Sequence, residues 1–511
     1  MFFNTKNLPC LKTFQQQILR NHLKSFNSII YKSIEKAPID MLYLSYDDFP
    51  HHYTTSYGLI EKQKAANQPL DLSSIPLNVG SLTFGNLYKE PLLPHTIPST
   101  ITILNLGNGF SNLLFPGTIP TTVTSLDLGN KFNHPLVPGS IPASVRQLRF
   151  GTSYDKQLPP GWIPSSVEDL ELSSPKTHQL EVGSIPSSVR LLKLSYVHTL
   201  TPGIIPKSSS IERLTLMNYN KPIVEDALPE GIKYIDFGIN FSNVITLGAL
   251  PMSLTEMVYS HTYTPLDVEA LPPSLTRLTL NVHPQIHTPF PNTITHLVLN
   301  YHSVGSTLEF IPDSVTHLTL GNRFNVALYT NDDPKPGFIE RFFWGKGEQD
   351  DKNITSNLPP HLESLILGEM YDQPIPRGVL PQSLRKLVLG RDFNQILTQG
   401  ALPDALTHIT LGPKMARTDV YFPPALTHIS FPMGTPIKMA EMPLNVKHLE
   451  ILIGHNLTKV LRVEPSYSLT LCESLYAGGF VSNSMLDRLI ETSLNIHMHI
   501  ESLFQSRVYI H

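Results

Sequence analysis

The chain has 511 residues, 38 of them basic and 42 acidic, for a formal net charge of −4. That near balance supplies no basic footprint for nucleic acid, and no run approaches the ~18 continuous apolar residues of a membrane-spanning helix, so neither is an expected partner. Charged residues make up 16% of the chain, under the usual share of about 25%, which fits a fold exposing Ser, Thr, Asn and His and argues against disorder.

From the N-terminus, residues 1–17 lack the apolar core of a signal peptide, so a cytoplasmic protein is expected. Leu11, Phe14, Ile18, Leu19, Leu23, Phe26, Ile29, Ile30 and Ile34 recur mostly three and four apart, placing them on one helix face. Pro38 stops that helix. Residues 1–70 therefore read as a helical N-terminal cap region, with Leu42-Tyr43-Leu44 as a possible first strand. The only cysteines, Cys10 and Cys472, form neither a zinc spacing nor a disulfide framework.

Residues 71–464 repeat one sentence. An Ile-Pro or Leu-Pro is followed by apolar residues three, six and eight places on, then by a turn and an aromatic at about twelve. Anchor prolines run from Pro76 to Pro443; the first six are 22 apart and later spacings drift from 19 to 23. Such a period marks a solenoid. Proline fixes φ and lacks an N–H, so it belongs just ahead of a strand. In Val123-Thr124-Ser125-Leu126-Asp127-Leu128, the leucines alternate inward while Ser125 and Asp127 face out. After Pro206 the core leucines move two places later, to Leu214 and Leu216, which keeps the second core position on a 22-residue beat.

Gly129 turns the chain off the strand, and Phe132 fills the far side of the coil. The residue after the aromatic is short and polar, as in Asn133, Asp155, Asn325 and Asp372, so a ladder of these is expected to satisfy backbone groups at the turn. Between Pro312 and Pro359 the gap is 47 residues, one repeat plus an insertion near 330–357. The insertion carries Phe342, Phe343 and Trp344, a candidate aromatic anchor for a partner or a self-packed loop. Residues 465–511 read as a C-terminal cap, with a helical pattern over 484–504.

Phe132-Asn133-His134-Pro135 and the Gly-Ser-Ile-Pro of residues 139–142 and 183–186 resemble FNIP-repeat proteins, relatives of leucine-rich repeats. The likeness covers about Ile75 to Leu452; at Phe324-Asn325-Val326-Ala327 the motif loses its proline. It implies protein–protein interaction and brings no catalytic residues. Some members of the family begin with an F-box-like segment, of which Leu8-Pro9 and the following helix are a faint echo. The alternative function is thus a ubiquitin-ligase substrate adaptor docking through residues 1–36.

Two stretches of the exposed strand face are candidate partner-binding surfaces. The N-terminal half offers Asp127, Arg149, Asp169, Glu171, Lys193 and Arg213, with both signs interspersed, suited to a charged and complementary protein. The C-terminal half offers His296, His317, His408, His428 and His448, five places after their anchor prolines. Such a stripe is pH-sensitive or metal-binding, or simply a stacked, solvated column. A flat line of imidazoles does not converge on a tetrahedral centre, so no metal is expected. No Gly-rich phosphate loop, His-Glu-x-x-His or Gly-x-Ser-x-Gly occurs. The expectation is a mainly β, right-handed, leucine-rich-repeat-like solenoid with one long parallel sheet and helical caps. It acts as a monomeric, non-enzymatic scaffold without cofactor that binds a protein partner.

Overall fold

A computed structural model describes residues 41–44, 75, 79–86, 88–174, 179–207, 210–260, 266–281, 288–300, 307–331, 354–415, 420–432, 442–453, 456–464, 467–472 and 477–482. They form a mainly β parallel solenoid that divides into two compact units, one ending at Leu275 and one beginning at Thr276.

Among its described residues the first unit holds ten parallel strands: β1 (Met41–Leu44), β2 (Ser81–Phe84), β3 (Ile103–Asn105), β4 (Ser125–Asp127), β5 (Gln147–Phe150), β6 (Asp169–Leu172), β7 (Leu191–Ser195), β8 (Arg213–Met217), β9 (Tyr234–Asp236) and β10 (Glu256–Tyr259). Each pairs with the next in sequence. In β7 and β8, Leu192 faces Leu214 and Leu194 faces Leu216, so the shift after Pro206 is absorbed before the strand and the register survives.

The second unit continues the same construction through β11 (Arg277–Leu280), β12 (His296–Leu299), β13 (His317–Leu320), β16 (Ser364–Ile366), β17 (Lys386–Val388), β18 (His408–Thr410), β19 (His428–Pro432) and β20 (His448–Ile453). Strand β13 pairs directly with β16, His317 opposite Ser364, so the parallel ladder passes the insertion without losing a rung. The insertion leaves through an antiparallel pair, β14 (Tyr329–Asn331) and β15 (Ile354–Ser356). Phe342, Phe343 and Trp344 lie outside the described residues.

One rung shows why these residues form these elements. The Val123 amide donates to the Pro120 carbonyl at 3.1 Å, a turn that Pro120 can open because it needs no donor of its own. Val123, Leu126, Leu128 and Phe132 are all buried. The Thr124 and Ser125 amides both donate to the Thr102 carbonyl of the preceding rung, at 2.8 and 3.2 Å. After the strand, Gly129 takes φ +78°, and its amide donates to Asp127 Oδ1 at 2.9 Å.

Behind the sheet the aromatics stack rung on rung. Tyr88, Phe110, Phe132 and Tyr154 are 6.4, 6.4 and 6.1 Å apart with planes within 9° of parallel. In the second unit Phe324, Tyr371 and Phe393 repeat the arrangement at 6.0 and 6.2 Å. Sequence reasoning missed Tyr219, which stacks on Phe241 at 6.2 Å and whose hydroxyl accepts from the Leu200 amide and donates to the Pro222 carbonyl.

The polar ladder at the turn is present. Asn133 Oδ1 accepts from the Asp155 amide at 2.9 Å, Asn325 Oδ1 from the Asp372 amide at 2.9 Å, and Asp372 Oδ1 from the Asn394 amide at 2.8 Å. Each side chain supplies the acceptor that the next rung's turn amide lacks.

β1 falls on the strand expected at Leu42-Tyr43-Leu44, whereas the C-terminal region differs from expectation where it is described. β20 is followed by antiparallel β21 (Asn456–Glu464), β22 (Tyr467–Cys472) and β23 (Ala477–Ser482), so strands occupy the start of the region expected to be a helical cap. The helices expected over residues 1–36 and 484–504 lie outside the described residues. Among the described residues the helical segments are two 3-10 turns, Val268–Ala270 and Thr307–Phe310, and no helix is long and apolar enough to cross a membrane.

Candidate functional site: the exposed strand face

In the first unit, register aligns Asp127, Arg149, Glu171 and Lys193 in one column. Asp169 and Arg213 stand in the neighbouring column, either side of Leu191. Signs alternate, and the column neutralises itself. Glu171 Oε2 lies 3.7 Å from Arg149 Nε and 3.6 Å from Lys193 Nζ. The Arg213 guanidinium sits 3.7 Å over the Tyr234 ring, a cation–π contact.

A third column, one residue ahead of the strands, escaped sequence reasoning. It pairs Arg146 with Glu168 at 3.2 Å, and Glu212 with Arg190 at 3.2 Å and Lys233 at 3.8 Å. The readable signal was the alternation of sign four places after Pro142, Pro164, Pro186 and Pro229, with Glu212 displaced two places by the shift after Pro206. Exposed pairs of this kind contribute about 0–1 kcal/mol each. Glu168→Gln is therefore expected to leave the thermal midpoint of the protein almost unchanged, as a calorimetric scan would show.

The second unit is built differently. The strand position that supplies the histidines runs, in unbroken register, Arg277, His296, His317, Ser364, Lys386, His408, His428, His448. No carboxylate interrupts it. The imidazoles stack face to face: His296 on His317 at 4.2 Å, His408 on His428 at 4.1 Å, and His428 on His448 at 4.4 Å, with planes within 12° of parallel.

The preceding threonines set the tautomer. Thr295, Thr316, Thr407 and Thr427 each donate their hydroxyl proton to a carbonyl of the previous rung, at 3.3, 3.2, 3.0 and 3.1 Å. The same oxygens lie 2.9–3.0 Å from Nδ1 of the following histidine. With the hydroxyl proton spent, Nδ1 must carry the ring proton. Nε2 is then the basic nitrogen, where a second proton or an incoming donor binds.

The stack favours neutral rings. Burial lowers the pKa of His296, His408 and His428, and nearby cations add to the effect: Arg277 and His317 for His296, Lys386 and His448 for His408, and His408 and His448 for His428. Two unit charges about 4 Å apart repel by about 1 kcal/mol in bulk water and about 4 kcal/mol at an effective dielectric of about 20. A histidine with a depressed folded-state pKa contributes stability that is complete above the unfolded value, about 6.5. That contribution is lost as pH falls through 6.5 toward the folded value. The second unit is thus expected to lose hydrogen-exchange protection at Ile409 and Ile429 between about pH 7.5 and 5, and to lose less of it in the His428→Asn chain.

Parallel rings keep their Nε2 atoms side by side, which does not assemble a tetrahedral shell. No group of three or more His, Cys, Asp or Glu among the described residues is placed to hold a metal ion.

The FNIP Repeat family model matches nine overlapping segments of the chain, lying within residues 67–258 and 351–414 and together covering half of it. No curated protein matches. Among solved structures, the chain is similar to CroV588, described as a novel circular LRR protein, at 26% identity and a TM-score of 0.55, over 75% of this chain and 57% of that one. It thus spans a little over half the length of that structure. YopM from Yersinia enterocolitica WA-314 also matches, at 15% identity and a TM-score of 0.37, over 88% of this chain and 92% of that one. Repeat segments over half its length, on a parallel leucine-rich-repeat-like solenoid, make this chain a member of the FNIP-repeat family.

Proposed function

We propose that the protein is a non-enzymatic scaffold that binds a protein partner through the strand face of its solenoid. The observation that carries this reading is the alignment of exposed side chains into continuous columns, one residue per rung, through the parallel ladders of both units. Solenoids use such extended, regularly spaced surfaces for recognition. The columns differ in chemistry, and that difference is where specificity would reside: self-neutralised ion pairs in the first unit and stacked histidines in the second.

Capture of cytosolic partners by crosslinking tests the reading. The intact protein is compared with a variant reversed at Arg149→Glu, Lys193→Glu and Arg213→Glu, and with one reversed at Arg277→Glu and Lys386→Glu. These positions are exposed or ion-paired at the surface, so the fold should persist. Loss of a reproducible partner from either variant supports the strand face. Retention of every partner by both would place recognition elsewhere, and a version lacking residues 331–355 would then test the insertion.

A further inference from the structure

We propose that the histidine column of the second unit is a proton-gated binding site for an extended acidic polypeptide, engaged more tightly as pH falls below neutrality. The proposal rests on the strand-face reading and adds to it the ligand chemistry and the control.

The first support is charge. Near neutral pH the column carries Arg277 and Lys386; with all five histidines protonated, seven of its eight positions become cationic. The carboxylates facing it from neighbouring positions are Glu363, which acts on His296, and Glu450, which acts on His408. Arg385 and Lys447, which flank the strands one residue ahead of Lys386 and His448, match them in number. On the far side of His448 the next strand presents Leu461, and Lys459 stands opposite Glu450. The first unit has no comparable surplus, because its charges pair with each other across rungs.

The second support is geometry. At about 4.8 Å per strand the seven intervals of the column span about 34 Å, the length of roughly ten residues of extended chain. At His296, His317, His408 and His428, where Nδ1 is held by a threonine hydroxyl, protonation occurs at Nε2 and creates a donor there, so each of these charges arrives with a hydrogen bond to offer. Stacked imidazoliums repel one another, and carboxylates laid along the column relieve that repulsion. Binding must therefore raise the ring pKa values and take up protons.

Among polyanions the surface favours a peptide over a nucleic acid. The adjoining column is Thr279, Val298, Thr319, Ile366, Val388, Thr410, Ser430 and, at its end, Glu450, half-buried and without an aromatic ring on which a base could stack. Small aliphatic and hydroxyl side chains instead suit an extended backbone.

The test measures binding of a fluorescent twelve-residue oligo-aspartate to the full-length protein at pH 7.5, 6.5 and 5.5, where aspartate stays ionised. The expected result is at least tenfold tighter binding at pH 5.5 than at 7.5. Calorimetry at pH 6.5 in two buffers of different ionisation heat should show net proton uptake. The variant His408→Asn/His428→Asn/His448→Asn should lose most of the pH dependence and most of the proton uptake. If the wild-type chain loses its far-UV signal at pH 5.5, the proton uptake at pH 6.5 and its loss in the variant decide the matter. Equal affinity across pH, pH dependence retained in the variant, or tighter binding of a twelve-nucleotide oligo-thymidylate would each overturn the proposal. Absence of peptide binding at every pH would also overturn it, while partner capture by the strand-face variants reports separately on the scaffold function.

Discussion

Gly129→Ala is expected to destabilise its rung by more than about 3 kcal/mol. A left-handed backbone costs a non-glycine residue about 1–3 kcal/mol, and here a Cβ would also run into the Gly107 carbonyl oxygen of the preceding rung. That oxygen accepts from the Phe110 amide at 3.4 Å within its own turn, so it cannot move without disturbing that turn. Gly161→Ala is the control: φ is +79° there too, but no atom lies within 4 Å of the added carbon, so the cost should be the conformational one alone, about 1–3 kcal/mol. Because each repeat touches only its neighbours, the loss should be local. Hydrogen exchange at Leu106, Leu128 and Phe150 for Gly129→Ala, and at Phe150, Leu170 and Leu172 for Gly161→Ala, measures it. Equal effects from the two substitutions would show that the close approach of successive turns contributes little.

Phe132→Ala should be comparably severe, at about 3–5 kcal/mol. The ring is fully buried and lies between Phe110 at 6.4 Å and Tyr154 at 6.1 Å. Its removal opens a cavity in a stack where neither neighbour can close the gap without abandoning its own rung. Long repeat arrays need not unfold in one step, so the expected signature is an early transition confined to the first unit, with the second unit's midpoint unchanged. Denaturant unfolding followed by hydrogen exchange at residues of both units resolves the two. Phe132→Leu, which refills part of the volume, should recover a substantial part of the loss.

These two substitutions mark what could be read before any coordinates. The glycine after the strand and the aromatic behind it recur at fixed offsets from the anchor prolines, and a repeat that buries the same positions in every coil writes its own inward and outward faces into the sequence. The insertion was legible for the same reason, as a break in a beat; β13 pairing directly with β16 shows that the beat resumes on the next rung. Tyr219 was missed because the shift after Pro206 moves it out of the expected offset, although it enters the stack. The antiparallel strands β21–β23 were missed because they lie beyond the last anchor proline, where no periodicity constrains the reading.

By itself the sequence determined the repeat, its phase, the alternation that sends Leu126 and Leu128 inward, and the residue types on the exposed face. All of these follow from local chemistry: proline before a strand, period-two burial within it, glycine after it. Only the tertiary structure decided what the exposed residues do to one another. That Glu171 is shared by Arg149 and Lys193, that the histidines stack within about 4 Å, and that the threonine hydroxyls spend their protons on carbonyls of the previous rung are contacts across rungs. They join residues about 20 apart in the chain, or 47 where the insertion intervenes between His317 and Ser364. Which side chains meet at that distance depends on the register of neighbouring strands, and register is set by the packing of the whole ladder rather than by any one repeat.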